Sequence, residues 1–244
     1  MNNILTIAKR EVRGYFSSPV AFVFIVIFLL LSGFFTFMVA SLFERGEANL
    51  IPFFAWHPWL YLFLVPAVGM RMWSEERRLG TMELLLTMPI TPWQAIVGKF
   101  LASWLVVAIA LVLTFPVVIT VNYLGHPDNG VIFAGYIGSL LMAGAYLAIT
   151  AMTSAMTRNQ VVSFIVSVML ALFLILAGFP PVTNMLVSWA PPWLVESVSA
   201  FSVMTHFESI QKGVLDSRDI LYFLSVIGFS LFTTGVIIRA HRAG

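Results

Sequence analysis

Few residues in this 244-residue chain could do covalent or metal chemistry. It has no cysteine, which excludes thiol nucleophiles, thiolate metal sites and disulfides. The four histidines, His57, His126, His206 and His241, are scattered and show no ligand spacing. Gly98-Lys99-Phe100 lacks the upstream glycines and the following hydroxyl of a phosphate loop, so the chain is expected neither to hydrolyse a nucleotide by itself nor to bind a cofactor. No His/Asp/Glu constellation suited to acid–base or metal chemistry stands out, which argues against an enzyme. What remains is one dense polar and apolar stretch, Met72 to Lys99. Glu75, Glu76, Arg77 and Arg78 form a charged run that Gly80 interrupts. Thr81 can cap a new helix, Glu83 falls in its first turn where a carboxylate is favoured, and Leu84 and Leu85 open an apolar surface that Pro89 ends. That is binding chemistry: a short helix, 75–89, that suits docking into a groove on a soluble partner or lying on lipid headgroups.

The elements that must position this stretch are membrane spans. Hydrophobic residues make up 60% of the chain and charged residues 10%, far from the roughly 45–50% and 25% of a soluble domain. Six apolar runs approach or reach the length that crosses a bilayer: 20–42, 58–73, 100–123, 131–156, 161–179 and 220–238. The second is the shortest, and the first lacks the cleavage pattern of a signal peptide. With six spans both termini share a side. Lys9, Arg10, Arg13, Arg71, Arg77, Arg78, Lys99, Arg158, Arg239 and Arg242 then fall on one set of faces, and only Arg45, Lys212 and Arg218 on the other. That bias predicts cytoplasmic termini. Trp56, Trp59, Trp73, Trp189 and Trp193 sit near span ends, where the interface favours amphipathic rings. The net charge of +2 points to no nucleic-acid partner.

Flanking segments carry further signals. Ile4, Leu5, Ala8, Val12, Tyr15 and Phe16 recur at helical spacing among Lys9, Arg10 and Arg13, predicting an interfacial amphipathic helix over 1–18. Thr91-Pro92-Trp93-Gln94 and Thr157-Arg158-Asn159-Gln160 both have capping-box spacing and predict helix starts. Gly135, Gly138 and Gly144 allow close helix approach, and Pro66 and Pro116 can kink their helices. Pro180-Pro181 and Pro191-Pro192 stop any continuous span over 180–217, which predicts short helices in or on the outer leaflet. The spans hold no ionisable residue well inside them, which argues against an ion-coupled carrier.

Three segments carry a family resemblance. Glu75-Glu76 followed by Gly80-Thr81-x-Glu83-Leu84-Leu85-x-x-x-Pro89 and Gly98-Lys99 resembles the signature of ABC-2-type permeases, the membrane subunits of one class of ATP-binding-cassette transporter. The opening Arg10 to Pro19 and the stretch His206 to Ile220 are similar to two further parts of those proteins. The resemblance is closest to the short branch that holds the gliding-motility permease and the permease for copper-site assembly of nitrous oxide reductase. It implies a single all-α domain over 1–244: six spans, an N-terminal connecting helix with Lys9, Arg10 and Arg13, and a coupling helix, with Glu75, Glu76, Gly80, Thr81, Glu83, Leu84 and Leu85 as ATPase-contact residues. It also implies a re-entrant outer gate between the fifth and sixth spans, carrying Glu196, His206, Phe207 and Glu208. The implied partners are two copies of a separate ATPase holding ATP and Mg²⁺, a second permease subunit, identical or sister, and the lipid of a bacterial inner membrane. Export is the implied activity. The alternative is a membrane component that relays ATPase motion to an extracytoplasmic accessory protein without moving a cargo.

Overall fold

The computed structural model describes residues 2–44, 46, 48–82, 90–188 and 190–240. Arg45, Glu47, Glu83, Leu84, Leu85, Pro89, Trp189, His241 and Arg242 therefore lie outside the described residues. The described chain is helical throughout, with no strand among these residues. Helix α1 is Asn2–Ser17. Ser18 is extended, and Pro19, which fits the first helical turn, opens α2, Pro19–Phe34, continued by a π-helical turn over Phe35–Val39. Next come α3 (Ile51–Phe54), α4 (His57–Gly69) and α5 (Arg71–Leu79). These three run end to end as one long apolar segment, Ile51–Leu79, which exceeds the expected second span at both ends.

Thr91 and Gln94 form the expected capping box, with Gln94 N–H donating to Thr91 Oγ1 (3.3 Å) and Thr91 N–H to Gln94 Oε1 (3.0 Å). It starts α6, Pro92–Val112. Thr114 separates α6 from α7, Phe115–Leu124, whose first turn holds Pro116, so the proline marks a break between helices. The second expected capping box does not form. Thr157 Oγ1 accepts from Asn159 N–H, and Asn159 Oδ1 in turn accepts from Val161 N–H as the actual cap. An asparagine cap is as favourable as threonine, and here it lies directly before the helix.

Helix α8, Asn129–Met156, is the axis of the bundle and packs against α4, α5, α6, α9 (Gln160–Leu176), α12 (Val203–Gln211) and α13 (Ser217–Ala240). Its glycines serve that packing with a different neighbour each: Phe54 at Gly135, Ile210 at Gly138, Trp104 and Ile227 at Gly144. Hydroxyls add polar contacts, as where Thr153 on α8 meets Ser163 and Ser167 on α9. Among the described residues, five helical segments are long and apolar enough to cross a bilayer, and a sixth follows if α9 and α10 (Pro180–Val187), bent by 62°, count as one. The chain is an all-α integral membrane protein. Between that bend and α13 lie the short helices α11 (Pro192–Ala200) and α12.

Candidate functional site

Lys99 is where the structure departs most from a plain membrane anchor. It sits in the second turn of α6 and is 5% exposed, although an isolated buried ammonium is costly. Two carboxylates from other elements meet it. Glu76 Oε1 of α5 lies 2.8 Å from Nζ and Glu11 Oε2 of α1 lies 3.4 Å away. The indole of Trp73 packs beneath the ammonium, 5.4 Å from its centroid, and is itself buried. Trp73 is therefore a core residue under a cation, not the interfacial ring that its position near a span end predicted. Three elements distant in sequence are thus joined by one charge.

The local sequence explains how they reach each other. A Cβ on Gly98 would lie 2.8 Å from Ile7 Cγ2 and 3.2 Å from the Ile4 carbonyl, so only glycine lets α1 lie this close to α6. The α1 face that packs there carries Ile4, Ile7, Glu11 and Tyr15, at i, i+3, i+4 spacing. Leu5, Ala8 and Val12 instead line an open groove with Leu101, Leu105 and Leu140. The expected apolar stripe of α1 is thus divided between two surfaces. Tyr15 closes the junction: its hydroxyl is 2.8 Å from Ser103 Oγ and 3.2 Å from the Val68 carbonyl. Ser103 can give its proton to the Lys99 carbonyl (3.0 Å), which leaves the single Tyr15 proton to be shared between Ser103 Oγ and the Val68 carbonyl. Burial pushes the Tyr15 phenol up to about 12, with the Ser103 hydrogen bond opposing, so it stays protonated.

The other flank of α5 is tied to the end of α8. Ser154 Oγ accepts from the N–H groups of Trp73 and Ser74, at 3.0 Å each, and donates to the Met70 carbonyl at 2.9 Å. Those amides fall in the first turn of α5, where N–H groups commonly need a partner from outside the helix. The Arg77 guanidinium donates to the Ala155 carbonyl. Helix α5 ends at Gly80, whose φ of +70° is the left-handed conformation that glycine adopts without a Cβ penalty. The Thr81 hydroxyl points back to the Glu76 carbonyl at 3.5 Å. Glu75 and Glu76 thus close α5 itself and do not begin a separate helix; the expected remainder, including Glu83, Leu84 and Leu85, lies outside the described residues. Lys9, Arg10 and Arg13 are exposed on α1, and Arg10 also reaches Glu11 at 3.4 Å. The far end of α13 joins the same face, with Arg239 over the Trp93 ring at 5.9 Å. The starts of α1 and α6 and the ends of α5 and α13 therefore gather at one basic end.

At the opposite end, the predicted gate residues separate. His206 Nδ1 lies 2.6 Å from Asp219 Oδ1 of α13, its ring stacks on Tyr222 (4.1 Å), and Nε2 lies 3.1 Å from the Ala200 carbonyl. Tyr222 donates to the Phe201 carbonyl at 2.6 Å. Phe207 is buried against Gly138 of α8. Glu196 is exposed on α11 and Glu208 half-buried on α12, and neither joins the His206 cluster. Sequence reasoning missed Asp219 as a partner: it stands at the start of the last span, and Glu208 and Asp216 lie nearer to His206 in sequence. It also missed His57, which is buried among Phe28, Phe53, Phe54 and Tyr61 with Nδ1 2.8 Å from Ser139 Oγ.

Long apolar helices around a buried axis, preceded by the amphipathic helix α1, define a multi-pass membrane protein. Within that class the chain belongs to the ABC-2 family of transporter proteins: the family model described as "ABC-2 family transporter protein" matches residues 48–239. It is also similar to the "Inner membrane transport permease YhhJ" of Escherichia coli (strain K12) and of Shigella flexneri. Each is 30% identical over 149 residues, which cover 58% of this chain and 36% of the relative. The chain thus spans roughly a third of the length of these curated relatives where it matches them.

Proposed function

We propose that this chain is the permease subunit of an ATP-binding-cassette exporter of a bacterial inner membrane. Both termini are cytoplasmic, and a second permease subunit completes the pathway. A separate ATPase, two copies per pair, binds ATP and Mg²⁺ and docks on the segment that α5 leads into, with Glu75, Glu76, Gly80, Thr81, Glu83, Leu84 and Leu85 as contact or shape residues. Lys9, Arg10 and Arg13 rest near it, while Glu196, His206, Phe207 and Glu208 belong to the outer gate. The basic end is the cytoplasmic side because lysine and arginine concentrate there. The permease name of the relatives supports the reading.

One observation carries it: α5 is gripped from two sides, by Lys99 of α6 and by Ser154 and Ala155 of α8. A displacement of the segment beyond Gly80 then reaches the third and fourth spans through a contiguous set of contacts. Partner binding shifts the membrane states only by contacting them differently, and in this reading α5 and the segment after it make that contact. The test is co-purification with the cognate ATPase followed by turnover assays. Leu85→Asp and Glu83→Ala are expected to lower complex formation or stimulated turnover roughly tenfold or more, as loss of a docking anchor does. Unchanged binding and turnover in both variants would reject the assignment.

A further inference from the structure

Two cavities meet at the basic end. The first, of about 450 Å³, is a polar chamber between α1, α5 and α6, and its charged lining is balanced: Glu11, Glu75 and Glu76 against Arg10, Arg71 and Lys99. The second, of about 260 Å³, is an apolar groove between α2 and α4, lined by Val20, Val23, Phe24, Ile27, Leu64 and Ala67 among others. Val20 and Arg71 line both, so chamber and groove adjoin at these two side chains. Most of the chamber's charges are already paired with each other. Lys99 holds Glu76 and Glu11, and Arg10 holds Glu11. Arg71 and Glu75 stand one turn apart on the same face of α5, yet Arg71 has no ion pair among the described residues. Glu75 turns to the exposed Arg78 at 3.6 Å.

From this geometry we infer that chamber and groove together bind a phospholipid with a primary-ammonium headgroup, a phosphatidylethanolamine of the same leaflet. Its phosphate meets Arg71, at the junction of the two cavities, as a charge-assisted pair. Its ammonium donates to Glu75, and an acyl chain lies along Val23, Ile27 and Leu64. With Glu11 and Glu76 held by Lys99, the charges left to a ligand are Arg71 and Glu75; a purely anionic headgroup would answer only the first and a purely cationic one only the second, so the zwitterion is the occupant that suits the lining. The bound lipid would brace α1 against α5. This depends on the membrane fold and not on the ATPase reading.

The test is native mass spectrometry of the full chain in detergent, titrated with phosphatidylethanolamine and with phosphatidylglycerol of matched acyl chains. The ethanolamine lipid is expected to bind roughly tenfold tighter, the scale of one charge-assisted contact. Arg71→Ala should weaken it by a similar factor, and Glu75→Gln should erase the preference between the two lipids. Ala67→Phe, which fills the groove and leaves the headgroup partners in place, should weaken both lipids and supplies the readout if Arg71→Ala does not fold. Equal or reversed affinity in the wild type, or unchanged lipid binding in Ala67→Phe, would overturn the site. So would soluble phosphoethanolamine competing as well as the lipid, because the groove would then contribute nothing.

Discussion

The two ends of the bundle are held by different forces. At the basic end a buried ammonium draws carboxylates from α1 and α5 onto α6, and a serine ties the first turn of α5 to α8. At the opposite end the contacts are mostly between neutral groups. His57 and Tyr61 share Ser139 Oγ, each at 2.8 Å, inside a ring of aromatics. The His206–Asp219 hydrogen bond there joins a short helix to the neighbouring α13 rather than three separated elements. Charge in a poorly solvated place demands its partners, since each unpaired ion costs several kcal/mol, so the contacts at the basic end are costly to break. Hydroxyl bonds and ring contacts are individually weaker and allow rearrangement. In the proposed reading, the junction that passes on displacement is at the first kind of end and the gate at the second.

The largest effect is expected from breaking that contrast at its centre. Lys99→Met leaves Glu11 and Glu76 facing each other across an apolar side chain. The cost should approach the roughly 3–5 kcal/mol of a buried pair that loses one partner, read as a lowered thermal midpoint in detergent. A smaller loss is expected from Gly98→Val, which forces α1 away from α6 at Ile7 and the Ile4 carbonyl. Overpacking of this kind costs about 1–3 kcal/mol, and a melt within error of wild type would show that α1 does not need this close approach. The smallest effect belongs to the other end. Asp219→Asn keeps the shape and weakens the His206 pair, at a cost of about 1 kcal/mol in the same melt, with ATPase stimulation preserved. If Asp219→Asn proved as damaging as Lys99→Met, the contrast between the ends would fail.

Much of this organisation was legible in the residues. The all-α membrane class, the capping box at Thr91 and the short helices after Pro180 follow from apolar runs, side-chain spacing and proline, which are local signals. Partnerships across the chain were not legible. Lys99 reads as one more cation at a span boundary, and nothing near it in sequence says that Glu11, far upstream, will reach it. Trp73 looks interfacial by position but is buried because the cation needs a ring beneath it. His206 and Asp219 become partners only once α12 folds back on α13. Thr157 lost the cap to Asn159 because two hydrogen-bonding side chains competed for one helix start, and spacing alone does not rank them.

Sidedness and contact of α5 can be read together in one measurement. The chain has no cysteine, and Leu79, the last residue of α5, is 63% exposed, so Leu79→Cys introduces a single accessible thiol. In intact cells it should resist a membrane-impermeant maleimide, and in membranes that hold the ATPase it should cross-link to that subunit, with a yield that changes when ATP is added. Rapid labelling from outside the cell, or a thiol that reacts only with lipid-borne probes and never with the ATPase, would contradict the account.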